Sequence, residues 1–235
     1  MLFIAGLLVC LLAGMTVAGI LHKAGLPGFK DADGFGAVLI GTLSFQGAAW
    51  ILIYFFLRLH QMDWRAALGL RGPQVARALL MGATLAVLIL PVVLLLQVVS
   101  MDFLVKLHFL PEEQTAVSLF KGLKHWWQQA YFAIFAIVIA PVAEEFIFRG
   151  MLYPFIKRAG SPRLALFGVS ALFALIHFDL GTLLPLFVLA LALTWLYEKT
   201  DNLLAPMLAH SLFNAANLVL LLVVELLGHK IPVQS

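Results

Sequence analysis

Long apolar runs alternate with short polar segments along the whole chain. The polar segments carry most of the charged residues, whereas several apolar runs approach or exceed the ~20 residues that a helix needs to cross a bilayer. Because each run is continuous and bounded by glycine, proline or charged residues, it predicts a helix rather than a strand. The predicted helices cover residues 2–21, 35–57, 78–99, 130–158, 163–178, 182–197 and 203–227.

The composition excludes an average soluble domain. Hydrophobic residues make up 63% of the 235 residues and charged residues only 11%, with a mean hydropathy of +1.03. We therefore predict an all-α fold: a polytopic membrane bundle of about seven to eight transmembrane helices around a buried polar cavity, with residues 1–235 forming one integral membrane domain. The single cysteine, Cys10, rules out an internal disulfide and a cysteine-rich metal site.

The loops predict the orientation of the bundle. The first apolar run has no positively charged residues before it, so we interpret it as a transmembrane helix and not as a signal sequence. With a cytoplasmic N-terminus, all arginines and two of the lysines fall in inside loops, as the positive-inside rule expects. The predicted location is the cell (inner) membrane. Residues 102–129, which finish in two tryptophans, are expected to form an interfacial amphipathic helix.

The basic residues are dispersed and form no stripe. The net charge of +3 is spread over loops between apolar runs, so membrane topology explains it better than nucleic-acid binding does.

Two adjacent carboxylates and an arginine interrupt the fourth predicted helix. Each costs roughly 2.5–3.5 kcal/mol in a membrane helix, so such residues normally mark function. Glu145 and Arg149 have i,i+4 spacing and should pair, which leaves Glu144 as the free base. Pro141 should free the carbonyl of Ile137 and bend the helix one turn before the pair.

Three polar residues on later helices can meet Glu144. His177 is as far as Glu144 from the turn between their two helices, and His210 and Asn214 share one face at i,i+4 spacing. A glutamate can take a proton from water as a general base, a histidine can hold the same water or protonate a leaving amine, and two fixed donors suit a tetrahedral oxyanion. The pattern predicts a hydrolase without a covalent nucleophile or a cofactor, and the leading interpretation is a metal-independent one.

Three motifs in this order resemble a known family. Glu-Glu-x-x-x-Arg, Phe-x-x-x-His and His-x-x-x-Asn on successive membrane helices are similar to the CPBP family of intramembrane glutamic endopeptidases, which includes type II CAAX prenyl proteases and bacteriocin-processing relatives. The resemblance covers a catalytic core over residues 130–220. It implies Glu144 as catalytic base with His177 beside it and an oxyanion site of His210 and Asn214, the supporting residues being Glu145, Arg149 and Phe173.

Two other classes of function stay open from the residues alone. A zinc hydrolase could use Glu144, His177 and His210 as ligands, although no His-Glu-x-x-His is present. A polytopic binding, immunity or transport protein could use the same cavity without hydrolysis. The expected partners of the enzyme are a membrane-associated peptide or protein substrate and the lipid bilayer, with the oligomeric state and the prenylation of the substrate left open.

Overall fold

A computed structural model describes residues 2–25, 35–109 and 114–228 of the chain. These residues form about nine helices and no strand. The second helix consists of Phe35–Thr42, a π-helical turn Leu43–Gly47 and Ala48–Leu59, and together these are called α2. The others are α1 (Leu2–Lys23), α3 (Trp64–Ala67), α4 (Val75–Lys106), α5 (Thr115–Gly122), α6 (Trp126–Arg158), α7 (Pro162–Leu175), α8 (Leu180–Thr200) and α9 (Leu204–Gly228).

The predicted all-helical membrane fold is confirmed. Within the described ranges, five helices are long and apolar enough to cross a bilayer: Val38–Leu59 of α2, then α4, α6, α8 and Leu204–Leu227 of α9. The chain is thus an integral membrane protein. The predicted fifth helix is present as α7, but its 14 residues extend only about 21 Å, which is shorter than a hydrocarbon core of about 30 Å.

The segment predicted as one interfacial helix, residues 102–129, is divided. Its first part belongs to the end of α4, the short helix α5 lies in the middle, and its last residues begin α6. The break before α6 is stabilised by Gln128, whose Oε1 accepts hydrogen bonds from the backbone N–H groups of Lys124 and His125, both at 3.1 Å. A side chain that caps free N–H groups in this way favours a new helix start over a continuous helix.

Helix α6, which carries the two adjacent glutamates, lies between three other helices. It contacts α2, α7 and α9, while α4 packs against α8 and α9 on the other side of the bundle. Glycine permits the close approach of α4 to α9, because a Cβ on Gly82 would lie 2.6 Å from the carbonyl oxygen of Ala205. The bundle therefore brings side chains of α2, α7 and α9 to the same stretch of α6.

Two π-helical turns flank the glutamates within α6. Phe135–Ile139 precedes the α-helical segment Ala140–Glu145, and Phe146–Leu152 follows it. Each wide turn adds a residue to the helix and rotates the faces on its two sides relative to each other, and such turns are frequent at functional sites. The side chains of α6 near the glutamates consequently do not follow a simple 3.6-residue register.

Candidate active site

A buried arginine links two helices at the centre of the site. Arg149 is fully buried and donates hydrogen bonds from Nη1 to Glu145 Oε1 at 2.9 Å, from Nη2 to the Ala190 carbonyl at 2.9 Å and from Nε to Thr194 Oγ1 at 3.3 Å. Its guanidinium also lies over the ring of Phe173, 4.9 Å from the ring centre. The predicted i,i+4 pair of Glu145 with Arg149 is confirmed, and it fastens α6 to α8 in apolar surroundings.

His210 of α9 lies between the two glutamates. Its Nδ1 is 2.9 Å from Glu145 Oε1, and since an ionised carboxylate only accepts, Nδ1 is the donor. The other ring nitrogen, Nε2, is 3.9 Å from Glu144 Oε2. The imidazole is 3% exposed and meets the edge of the Phe173 ring at 5.6 Å. Glu145 thus fixes the tautomer and the orientation of His210, and directs Nε2 towards Glu144.

The two adjacent glutamates have different surroundings. The Glu145 side chain is 0% exposed and accepts from two charged or chargeable groups through one oxygen, whereas the Glu144 side chain is 13% exposed. Glu144 receives one long hydrogen bond, from Gln46 Nε2 to its Oε1 at 3.4 Å. As the spacing predicts, Glu145 is bound in the network, whereas Glu144 keeps access to the outside.

Pro141 leaves a backbone carbonyl without a helical partner, one residue earlier than predicted. The N–H of Ala140 bonds to the carbonyl of Phe135, five residues back, because this turn is π-helical. In that register the next donor would be residue 141, and proline has none, so the carbonyl of Ala136 is freed. The prediction that the carbonyl of Ile137 is the free one is wrong, because it assumes i→i−4 hydrogen bonds throughout the helix.

Asn214, one turn after His210 on α9, donates a hydrogen bond to that free carbonyl. Its Nδ2 donates to the Ala136 carbonyl oxygen at 2.8 Å. One amide hydrogen of Asn214 is thereby committed to holding α9 against α6, while the same nitrogen keeps a second hydrogen. The structure brings Asn214 and His210 to the same side of α6, as the i,i+4 spacing predicts.

His177 is not inside a helix, contrary to the prediction. It lies two residues after α7 ends and is exposed, with Nδ1 donating to the Phe173 carbonyl at 2.7 Å and its ring 4.9 Å from the Phe173 ring. The helix stops here because Phe178 takes a positive φ of 51° and Asp179 caps α8 through the N–H of Gly181, at 2.8 Å. Among the described contacts, His177 reaches the rest of the site through Phe173, which is fully buried.

Sequence reasoning missed Gln46, the residue of α2 that touches Glu144. It is 8% exposed and lies in the π-helical turn Leu43–Gly47. A lone amide in an otherwise apolar span could have been found by the rule that polar residues in membrane helices serve function. The residue was overlooked because it has no spacing partner in its own helix, and only the packing of α2 on α6 reveals what it meets.

A cavity of about 1050 Å³ lies next to this group of residues and not around it. Its walls come from the end of α2, the loop and the short helix α3 that follow, the second half of α6 and the loop before α9, and they include Phe56, Phe146, Ile147 and Leu203. Phe146 and Ile147 directly follow Glu145 in the chain. The cavity is apolar and adjoins the site from the side of α6 that continues towards α7.

The part of the chain that carries the motifs matches a known family. Residues 126–216 match the family model described as type II CAAX prenyl endopeptidase Rce1-like. This part of the chain is similar to that family. The Rce1-like segment extends from the start of α6 into α9 and contains every predicted site residue from Glu144 to Asn214, whereas Gln46 lies before it.

The chain is also similar to a curated bacterial protein. The chain is 33% identical over 78 residues to the UPF0177 protein YxdF of Lactococcus lactis subsp. lactis (strain IL1403), a match that covers 33% of this chain and 42% of that protein. The chain thus spans less than half the length of this relative. No solved structure matches the chain. The Rce1-like assignment consequently rests on residues 126–216, and what the whole protein acts on is a matter for proposal.

Proposed function

We propose that the chain is an intramembrane endopeptidase in which Glu144 activates a water molecule to hydrolyse a peptide bond. The observation that carries the proposal is the contrast between two neighbouring carboxylates. Glu145 is fully buried and bound to Arg149 and His210. Glu144 is partly accessible and, among the described residues, makes one long hydrogen bond. A carboxylate with spare acceptor capacity, held in a low-dielectric site, is suited to act as a general base.

His210 and Asn214 serve in this proposal as donors to the oxyanion that forms when water attacks the carbonyl. His210 Nδ1 is occupied by Glu145, so the donor to the oxyanion is Nε2, which requires a protonated ring. Two carboxylates then face one arginine and one imidazolium, and this neutral cluster is what an apolar interior tolerates. Asn214 contributes the amide hydrogen that the Ala136 carbonyl does not use.

Arg149 and Phe173 act through their neighbours. Arg149 holds Glu145, which in turn orients His210, and Phe173 packs between the guanidinium and the imidazole. His177 is proposed to protonate the leaving amine, because its Nδ1 is bound to the Phe173 carbonyl, which leaves Nε2 as the nitrogen that can carry the transferred proton. Because its side chain is exposed, His177 is accessible to a leaving amine.

The proposed chemistry needs no metal. Within residues 2–25, 35–109 and 114–228, no three His, Cys, Asp or Glu side chains are grouped so as to hold a metal ion. We propose that a buried Arg149 takes the place that a cation would have beside the carboxylates. The alternative zinc hydrolase is tested directly by chelation: cleavage by the purified protein should continue after dialysis against EDTA and 1,10-phenanthroline, and loss of activity that zinc restores would establish the metal enzyme instead.

The proposed substrate is a membrane-associated peptide or protein, processed in the manner of CAAX-type or leader-peptide cleavage. This follows from the family of residues 126–216 and from the position of the site within helices that cross the membrane. The decisive experiment is incubation of the purified protein with a library of membrane-proximal peptides, prenylated and unmodified, followed by mass spectrometry of new termini.

Two variants make that experiment specific. Glu144→Gln should abolish cleavage while the protein still accumulates in membranes, since the amide cannot accept a proton from water. Glu198→Gln is the matched control, because Glu198 also lies on a membrane helix but pairs with Lys157 at 2.6 Å in an exposed position. Full activity in the Glu144 variant would refute the assignment of the base.

A further inference from the structure

The amide of Gln46 is a buried polar group with an unfulfilled hydrogen-bonding capacity beside Glu144. Its Nε2 donates to Glu144, but its Oε1 has no hydrogen-bond partner among the residues that the structure describes, although the atom is buried. Buried polar atoms are nearly always paired, and an orphan next to a site is explained by a ligand or a catalytic role. The Oε1 atom can therefore accept a hydrogen bond from a molecule bound at the site.

The backbone around Gln46 is shaped to present this side chain. The π-helical turn Leu43–Gly47 contains it, and the residues of α2 that follow at helical spacing, Ala49, Ile53 and Leu57, are buried against the core. Gln46 extends this buried stripe by one position towards Glu144. An alkyl side chain would complete the stripe better, so the amide costs stability where it stands.

The two oxygens of Glu144 are each approached by one neighbour. Gln46 Nε2 is 3.4 Å from Oε1, and His210 Nε2 is 3.9 Å from Oε2. Both distances are long, as is common for catalytic hydrogen bonds before substrate binds. Because Nε2 and Oε1 of Gln46 belong to one planar amide, the orphan acceptor must lie next to the carboxylate that Nε2 touches.

We propose that Gln46 is a further catalytic residue, whose Oε1 accepts the second O–H of the attacking water while Glu144 takes the first. This inference rests on the proposed function. The water oxygen forms a bond to the carbonyl carbon and one proton passes to Glu144. His177 gives a proton to the amine nitrogen as the C–N bond breaks, and the proton on Glu144 then returns to His177. The hydrogen held by Gln46 stays on the new carboxyl group until the product departs.

The geometric consequence is that Gln46 fixes the orientation of the water molecule. With one O–H directed to Glu144 and the other to Gln46, both lone pairs of the water oxygen lie on the opposite side, where the proposal places the substrate carbonyl. Orientation of a reacting group is worth orders of magnitude in rate, and loss of one orienting contact out of two is expected to lower kcat ~10–100-fold with KM nearly unchanged.

The test compares Gln46→Met with wild-type protein. Methionine has the same length without an amide, so a catalytic Gln46 predicts a ~10–100-fold lower kcat, a KM within ~2-fold of wild type and a Tm at or above that of wild type, since an unpaired buried acceptor has been removed. A purely structural Gln46 predicts a lower Tm. That result, obtained in detergent without any substrate, would overturn the proposal by itself.

Thr42→Val is the matched control. Thr42 lies one turn earlier on α2 and shares a hydrogen bond with Tyr131 Oη across the helix interface at 2.9 Å. The change removes a polar contact between helices without touching Glu144, so kcat should stay at the wild-type level. Gln46→Asn is the second variant: it keeps an amide but shortens it, and it should show the same fall in kcat as Gln46→Met.

The outcomes separate this inference from the proposed function. If Glu144→Gln abolishes cleavage but both Gln46 variants keep wild-type kcat, Gln46 has no part in catalysis and the endopeptidase proposal stands. If Glu144→Gln cleaves normally, both fail.

Discussion

Removing the buried guanidinium of Arg149 should destabilise the fold far more than removing an exposed lysine from the same helix. In Arg149→Met the side chain keeps its apolar contacts but loses all three hydrogen-bond donations, and Glu145 loses its cationic partner at 2.9 Å. The carboxylate is 0% exposed, so water cannot replace the arginine. Breaking a buried pair in this way costs about 3–5 kcal/mol.

Some of the groups that bind Arg149 keep another hydrogen-bond partner when the arginine is replaced. Thr194 Oγ1 and the Ala190 carbonyl keep a hydrogen bond to each other at 2.8 Å when the arginine is gone. The main cost is therefore the buried charge on Glu145, which keeps only His210 as a partner. In the double variant Arg149→Met/Glu145→Gln this charge is absent and His210 Nδ1 can still donate to the amide oxygen, so we expect a loss of only about 1–2 kcal/mol.

The assay is equilibrium unfolding of the purified variants in mixed micelles, with the helical circular dichroism signal as the measure of folded protein. Lys157→Met serves as control. Lys157 also lies on α6 and contacts Glu198 at 2.6 Å, but the two side chains are 40% and 37% exposed, so its loss should cost less than about 1 kcal/mol. Equal losses for Arg149→Met and Lys157→Met, or a double variant as unstable as the single one, would refute the reasoning.

Three further predictions follow from the geometry. His210→Ala should reduce kcat ~10²–10³-fold with little change in KM, as measured by initial rates on a cleaved library peptide, and a pure rise in KM would remove its oxyanion role. Asn214→Ala should do the same and also lower the free energy of unfolding by about 1–3 kcal/mol, because the partly buried Ala136 carbonyl is left unpaired; unchanged stability in micelles would contradict that bond. Gly82→Ala should separate α4 from α9, since the new methyl group would lie 2.6 Å from the Ala205 carbonyl, and it should lower Tm while Gly19→Ala, which meets nothing within 4 Å, does not.

The linear pattern of the chain was sufficient for the elements of the fold. Apolar runs must satisfy their backbone hydrogen bonds internally in a membrane, and this local requirement makes each of them a helix wherever it lies in the bundle. The pairing of Glu145 with Arg149 was equally predictable, because a spacing of four residues places two side chains on one face of any helix. The difference between the two glutamates followed from the same argument.

What required the tertiary structure were the relations that depend on neighbouring helices and on departures from ideal helical geometry. Gln46 contacts Glu144 only because α2 packs on α6, and no spacing of polar residues within α2 predicts this contact. The π-helical turn before Pro141 moves the free carbonyl to Ala136, where Asn214 binds it. An apolar sequence specifies a helix through interactions four residues apart, but the rotation of each helix is set by packing against its neighbours, and the side chains that reach the site depend on that rotation.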